Sequence, residues 1–153
     1  MSFYARHFDT VEVNSTFYGQ PRASVSASWV RRTPDHFEFS IKLYQKFTHP
    51  RMYRERLGRQ LAAVTDPDAS SAEAIAALAT PTAADIDTFK RGIAPLAESG
   101  KLGALLAQFP PSFVFGDSQG NYLERLLRAF DGYSLAVELR HRSWSDQIGR
   151  AHV

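Results

Sequence analysis

TVEVNSTFY, residues 10–18, is the stretch whose reading decides the fold. Val11, Val13 and Phe17 alternate with Glu12, Asn14 and Thr16, the period-two pattern of a β-strand with one apolar and one polar face. Such a strand commonly turns its polar side to water. The rest of the chain argues otherwise, because strand patterns and helical patterns take turns along it.

Upstream, Phe3, Tyr4 and Phe8 fit the end of a helix with Arg6 and His7 in its last turn. Residues 24–32 space Val25, Trp29 and Val30 as a short helix. Residues 37–44 set Phe37, Phe39, Ile41 and Leu43 against Glu38, Ser40, Lys42 and Tyr44, a second strand. A loop over 47–50 leads to a basic helical stretch over 52–64. Residues 66–82, rich in Ala, Ser, Asp and Pro, read as an insertion with a short helix over 71–79. A longer helix over 83–99 presents Ile86, Phe89, Ile93 and Leu96 on one face and is placed to end at Gly100. LGALLAQF, residues 102–109, is a continuous apolar run suited to a strand buried on both faces. An amphipathic helix over 121–130 and a fourth strand over 135–140 follow. Strands separated by helices make an α/β fold with a parallel sheet. Because parallel sheets are covered on both faces, the polar strand sides need a destination. Closing the sheet as a TIM-type barrel supplies one, with apolar sides toward the helices and polar sides toward the barrel mouth.

The 153 residues suffice for one domain with a sizeable core. A net charge of +2 is too small to argue for nucleic acid as a partner. The absence of cysteine rules out disulfides and thiolate metal sites and fits a cytoplasmic protein. No run reaches the ~18 apolar residues of a membrane span, and the opening MSFYARHFDT lacks the apolar core of a signal peptide. The terminal QIGRAHV, residues 147–153, resembles the in-frame translation of a sequencing adapter. It is read as a non-native tail, so His152 is given no role and the domain is drawn over 1–146.

The segments YARHFDTVEVNSTFY (4–18), FEFSIK (37–42), TH (48–49), KLG (101–103), QFPP (108–111) and VELRH (137–141) together resemble the YecE-like proteins, domain-of-unknown-function family seventy-two. The resemblance implies a TIM-type (β/α) barrel and brings no settled activity with it. It also implies truncation at both ends. The family's opening strand, with its Gly-Ser-Gly-Trp-like motif, has no counterpart before Met1, and its later strands have none after Trp144. About four parallel strands of a barrel that takes about 250 residues are therefore expected. Their two open edges would favour aggregation. The insertion at 66–82 looks longer than the family usually carries.

If the four strands are parallel neighbours, their polar residues converge at the C-terminal end of the sheet, where barrel active sites lie. Glu12, Lys42, Glu138 and His141 are the candidates for acid–base chemistry, since carboxylates among cations and a histidine have their pKa values tuned by those neighbours. Asn14, Tyr18, His49, Gln108 and Arg140 are the candidates for binding a small polar or anionic substrate, with Lys42 and Arg140 suited to a phosphate or carboxylate. The alternative is a structural network, because Glu12, Lys42, Glu138 and Arg140 sum to zero charge and can satisfy one another. No cofactor is implied, and the scattered Glu12, His49, Glu138 and His141 lack metal-ligand spacing. Trp29, Phe89 and Phe130 read as core, and Trp144 as packing or a cover for the barrel mouth. Arg51, Arg54, Arg56 and Arg59 read as a solvated helix face, with a nucleic-acid-associated module as the competing interpretation. The sequence gives no oligomeric state.

Overall fold

The computed structural model describes residues 3–62 and 72–148. Four strands, β1 (Thr10–Val13), β2 (Glu38–Lys42), β3 (Leu102–Gln108) and β4 (Leu135–Glu138), form one sheet in the order β1-β2-β3-β4. All three pairings are parallel, so the chain must cross over between strands rather than turn back on itself. The crossovers carry α1 (Ser15–Tyr18) and α2 (Ala23–Arg31), then α3 (Gln45–Thr48), α4 (Pro50–Ala62), α5 (Ala72–Ala79) and α6 (Ala83–Glu98), then α7 (Asp117–Ala129). A short 3-10 turn (Tyr4–Arg6) precedes β1, and α8 (Ser143–Ile148) follows β4. Among the described residues the sheet does not close. The chain is a four-stranded part of a TIM-type (β/α) barrel, as expected.

The core lies between one face of the sheet and the helices. Phe37, Phe39, Ile41 and Leu43 of β2 and its flanks are all fully buried, as the alternating pattern predicted. Trp29 of α2 stacks on Phe39, with ring centroids 5.9 Å apart. Phe47, Phe89 and Phe130 form a triangle of edge contacts, each 5.9 Å, that fastens α3, α6 and the end of α7 together. Helix α6 begins at a capping box between Thr82 and Asp85. It ends where Gly100, at φ +70, lets the amide of Lys101 reach the carbonyl of Leu96 and its own amide reach Ala97. That is a Schellman stop, and only glycine takes the backbone turn without strain.

Several expectations are corrected. The opening strand stops at Val13. Asn14 takes helical backbone angles and residues Ser15–Tyr18 form a helical turn. Thr16, assigned to the polar face, is instead buried, because its hydroxyl donates to the carbonyls of Lys42 (2.7 Å) and Val13 (3.1 Å). The loop expected at 47–50 is helical through Thr48, and α4 already starts at Pro50, since proline suits the first position of a helix. Strand β3 is not buried on both sides. Leu105 and Ala107 are buried, whereas Ala104, Leu106 and Gln108 are half-exposed on a face that no described element covers. Arg56 does not join a solvated face. It is half-buried and donates to the Tyr18 carbonyl (2.5 Å) and the Tyr44 hydroxyl (3.3 Å). Residues 63–71 lie outside the described residues and include 66–71 of the expected insertion, and 149–153 of the expected tail lie outside them too.

Between β2 and β3 the register slips by one residue. Phe39 pairs with Leu102, but Ser40 pairs with Ala104, so Gly103 is an extra residue in β3. Helix α6 packs on α2 at an equally tight point. Ser26 donates to the carbonyl of Gly92 at 2.7 Å, and a Cβ on Gly92 would overlap the backbone carbonyl of Pro21. Gly92→Ala is expected to lower stability by about 1–3 kcal/mol through overpacking, read as a lower urea midpoint with an unchanged slope. An unchanged midpoint would mean that α6 can shift away from the Pro21 loop at no cost.

Candidate functional site

Lys42, Gln108 and Glu138 are the last residues of β2, β3 and β4. Aligned residues of a parallel sheet share a face, and the pairings Lys42 with Leu106 and Gln108 with Glu138 put all three on the side away from the helices. Their side chains join in one row. The Lys42 ammonium donates to Gln108 Oε1 at 2.6 Å, Gln108 Nε2 donates to Glu138 Oε2 at 2.5 Å, and Arg140 Nε donates to Glu138 Oε1 at 2.6 Å. The direction of the amide is forced: a lysine can only donate and an ionised carboxylate can only accept. Lys42 is thereby held by a neutral group, and the one carboxylate of the row is held by Gln108 and Arg140.

A second layer supports Lys42 from the β1 side. The Phe17 ring lies under the Lys42 ammonium, 5.1 Å from ring centre to nitrogen, and edge-on to His49 at 5.0 Å. His49 has its Nδ1 2.9 Å from the Thr48 hydroxyl, so its Nε2 is the nitrogen left to face a ligand. Burial, with the positive charges of Lys42 and Arg140 nearby, holds the imidazole below its ordinary 6.5. His49 is therefore neutral at pH 7 and able to accept a proton. The hydrogen bonds from Arg140 and Gln108 hold the Glu138 carboxyl below its ordinary 4.5, with the nearby charges of Arg140 and Lys42 adding to them. Glu138 is thus a fixed anion with both oxygens occupied. Lys42, Arg140 and Glu138 together leave one net positive charge.

The remaining candidates stand apart from this row. Glu12 pairs in register with Ser40, two residues below Lys42, which is about 6.6 Å along a strand. Its exposed carboxylate has no hydrogen bond or ion pair among the described residues. Because it joins no network, the zero-charge grouping of Glu12, Lys42, Glu138 and Arg140 does not form. Asn14 is exposed at the start of α1 and makes no side-chain cap. Tyr18 is 66% exposed and contributes its carbonyl to Arg56. His141 is engaged locally: Ser143 donates its amide to His141 Nδ1 at 3.2 Å, and the Ser143 hydroxyl lies 2.7 Å from the same nitrogen while accepting from the Phe115 amide. Two donors on Nδ1 fix the tautomer with the proton on Nε2. Among the described residues no three His, Asp or Glu gather as metal ligands, and no helix is long and apolar enough to cross a membrane.

The pattern of the sequence did not single out Phe17, Thr48, Met52 or Phe113, although Phe17 joins Lys42 to His49 and the other three line a cleft beside them. Trp144, expected as packing or a cover, is buried and stacks on Phe113 at 5.2 Å. Aromatic and Met side chains in a sequence read first as core, so only their placement separates these from Phe89 or Phe130.

A family model described as "Protein of unknown function DUF72" matches residues 1–151. The chain is 31% identical over 141 residues to UPF0759 protein YunF of Bacillus subtilis, covering 92% of this chain and 42% of that protein. The solved structure of a DUF72 family protein from Enterococcus faecalis superposes with TM-score 0.73 at 26% identity, over 98% of this chain and 47% of that one. One from Thermotoga maritima gives 0.61 at 34% identity, over 93% and 45%. The chain spans less than half the length of each of these relatives.

Both histidine and glutamate shifts mean that the folded state binds fewer protons than the unfolded chain. Stability is therefore expected to fall as pH drops from 6.5 through the lower value of folded His49, and again from 4.5 through that of folded Glu138. An NMR titration should place the His49 midpoint below 6.5, and Arg140→Ala should raise it by removing a cation. A His49 midpoint that Arg140→Ala leaves in place would show that the two side chains do not sense each other.

Proposed function

The chain belongs to the DUF72 family of proteins of unknown function, and from that premise we propose that the C-terminal rim of its sheet binds a small anionic ligand and performs acid–base or hydrolytic chemistry on it. The observation that carries this reading is the net positive row in which Lys42 and Arg140 flank a single, fully hydrogen-bonded carboxylate, with the neutral imidazole of His49 beside them. Lys42 supplies a compact charge and Arg140 a planar fork for a phosphate or carboxylate. His49 Nε2 accepts the proton. Gln108 and Glu138 orient the two cations. Glu12 and His141 lie at the margin of this arrangement and serve only a ligand that extends toward β1 or the start of α8. The cysteine-free sequence supports a cytoplasmic setting. The basic face of α4 gives little support to nucleic acid, since Arg51 pairs with Glu55 and Arg56 with Tyr18 and Tyr44.

Isothermal titration of the full chain with inorganic phosphate tests the binding half of the proposal. Lys42→Ala and Arg140→Ala should each weaken binding by about tenfold or more, the scale of a lost charge-assisted hydrogen bond, while Arg59→Ala on exposed α4 should change little. Equal losses in all three variants, or no binding by the parent chain, would remove the anion site. A network that is only structural would show lower melting temperatures in the first two variants and unaltered phosphate binding.

A further inference from the structure

A cleft of about 400 Å3 opens directly beside the charged row, lined chiefly by His49, Pro50, Arg51, Met52, Pro110 and Phe113. Its chemistry differs from that of the row. Pro50 and Pro110 have no backbone N–H to offer, and Met52 presents its thioether at 47% exposure. Phe113 meets the cleft with its ring edge and cannot turn freely, because it is the middle ring of a stack with Phe109 at 4.2 Å and Trp144 at 5.2 Å. The Trp144 indole N–H also donates to the Phe113 carbonyl at 2.7 Å. A second recess of about 260 Å3 shares Thr48, Pro50 and Phe113 and lengthens the cleft toward Tyr122 and Arg125. His49 is the joint between the two regions: it lines the cleft, and its ring touches the Phe17 ring on which Lys42 sits.

A space of this size lies in the range of small-molecule sites and far exceeds what a bare oxyanion fills. We infer that the ligand of the rim is an aryl-bearing anion, with its phosphate or carboxylate at Lys42 and Arg140 and its flat ring in the cleft between Phe113 and Met52. The inference rests on the anion site proposed above and adds the part of the ligand that the charges do not specify. Phe113 gives a rigid ring edge for an edge-to-face contact, and Met52 an adaptable surface that closes over irregular shapes.

Titrating the full chain in parallel with inorganic phosphate, methyl phosphate and phenyl phosphate tests it. Phenyl phosphate should bind about tenfold or more tighter than methyl phosphate, from the apolar area that the ring buries. Met52→Ser should shrink that preference while leaving inorganic phosphate unchanged, and Met52→Leu should restore it. Because Met52 is surface-exposed, neither variant threatens the fold. The chain holds two methionines, so the Met52 methyl resonance is readily assigned, and phenyl phosphate should move it upfield by ring current. If phosphate binds through Lys42 but phenyl phosphate gains nothing over methyl phosphate, the aryl inference falls and the anion site stands. If none of the three binds, both fall.

Discussion

The parallel direction of all four strands is the constraint on which this structure depends. Strand ends of like polarity cannot be joined by hairpins, so each connection carries helix across the sheet. The helices that pack on the sheet pile onto one face, and there the chain spends its largest apolar side chains. Phe37, Phe39, Ile41 and Leu43 of β2 and its flanks are fully buried. The same constraint delivers the C-terminal ends of β2, β3 and β4 to one rim. Lys42, Gln108 and Glu138 meet because each is the last residue of its strand, although 66 and 30 positions separate the bonded pairs in sequence.

Among the described residues Lys46 and Lys101 are buried, and half-buried Lys42 contrasts with both. Lys46 is buried and paired with Asp85 at 2.8 Å, a carboxylate that also caps α6. Lys101 is buried with its ammonium on the carbonyls of Val30 and Thr33, where it satisfies acceptors at the end of α2. Both are fasteners with their charge absorbed by the fold. Lys42 meets only an amide oxygen and an aromatic face, neither of which neutralises a charge.

The strand–helix alternation, the β2 core face, the α6 face and the stop at Gly100 were legible in the sequence because each depends on local periodicity or local turn chemistry. The end of β1 was not. Residues 15–18 continue the polar–apolar alternation of the strand, and what bends them into a turn is the contact of Thr16 with the Lys42 carbonyl, 26 positions away. A buried, satisfied hydroxyl looks like a surface residue in sequence. The two-sided burial expected for LGALLAQF failed for a related reason, since an apolar run does not reveal whether a second layer covers it. At the site, the row from Lys42 to Arg140 followed from strand-end position alone. The separation of Glu12 followed from register, and the choice of His49 over His141 beside the row from side-chain partners. A single sequence encodes neither of these locally.

The extra residue at Gly103 determines more than a local irregularity. Pairing parity decides which face of a strand a side chain occupies. With the slip, Lys42 aligns with Leu106, and Gln108, two further on, shares its face. Without the slip, with Gly103 paired to Ser40, Lys42 would align with Leu105. Gln108 would then turn among the phenylalanines, and Leu105 and Ala107 would take its place at the rim. LGALLAQ contains no hydrophobic signal strong enough to choose between these phases, since it is apolar on both. One glycine thus acts as the phase setting of the strand, and the electrical continuity from Lys42 to Glu138 is its readout.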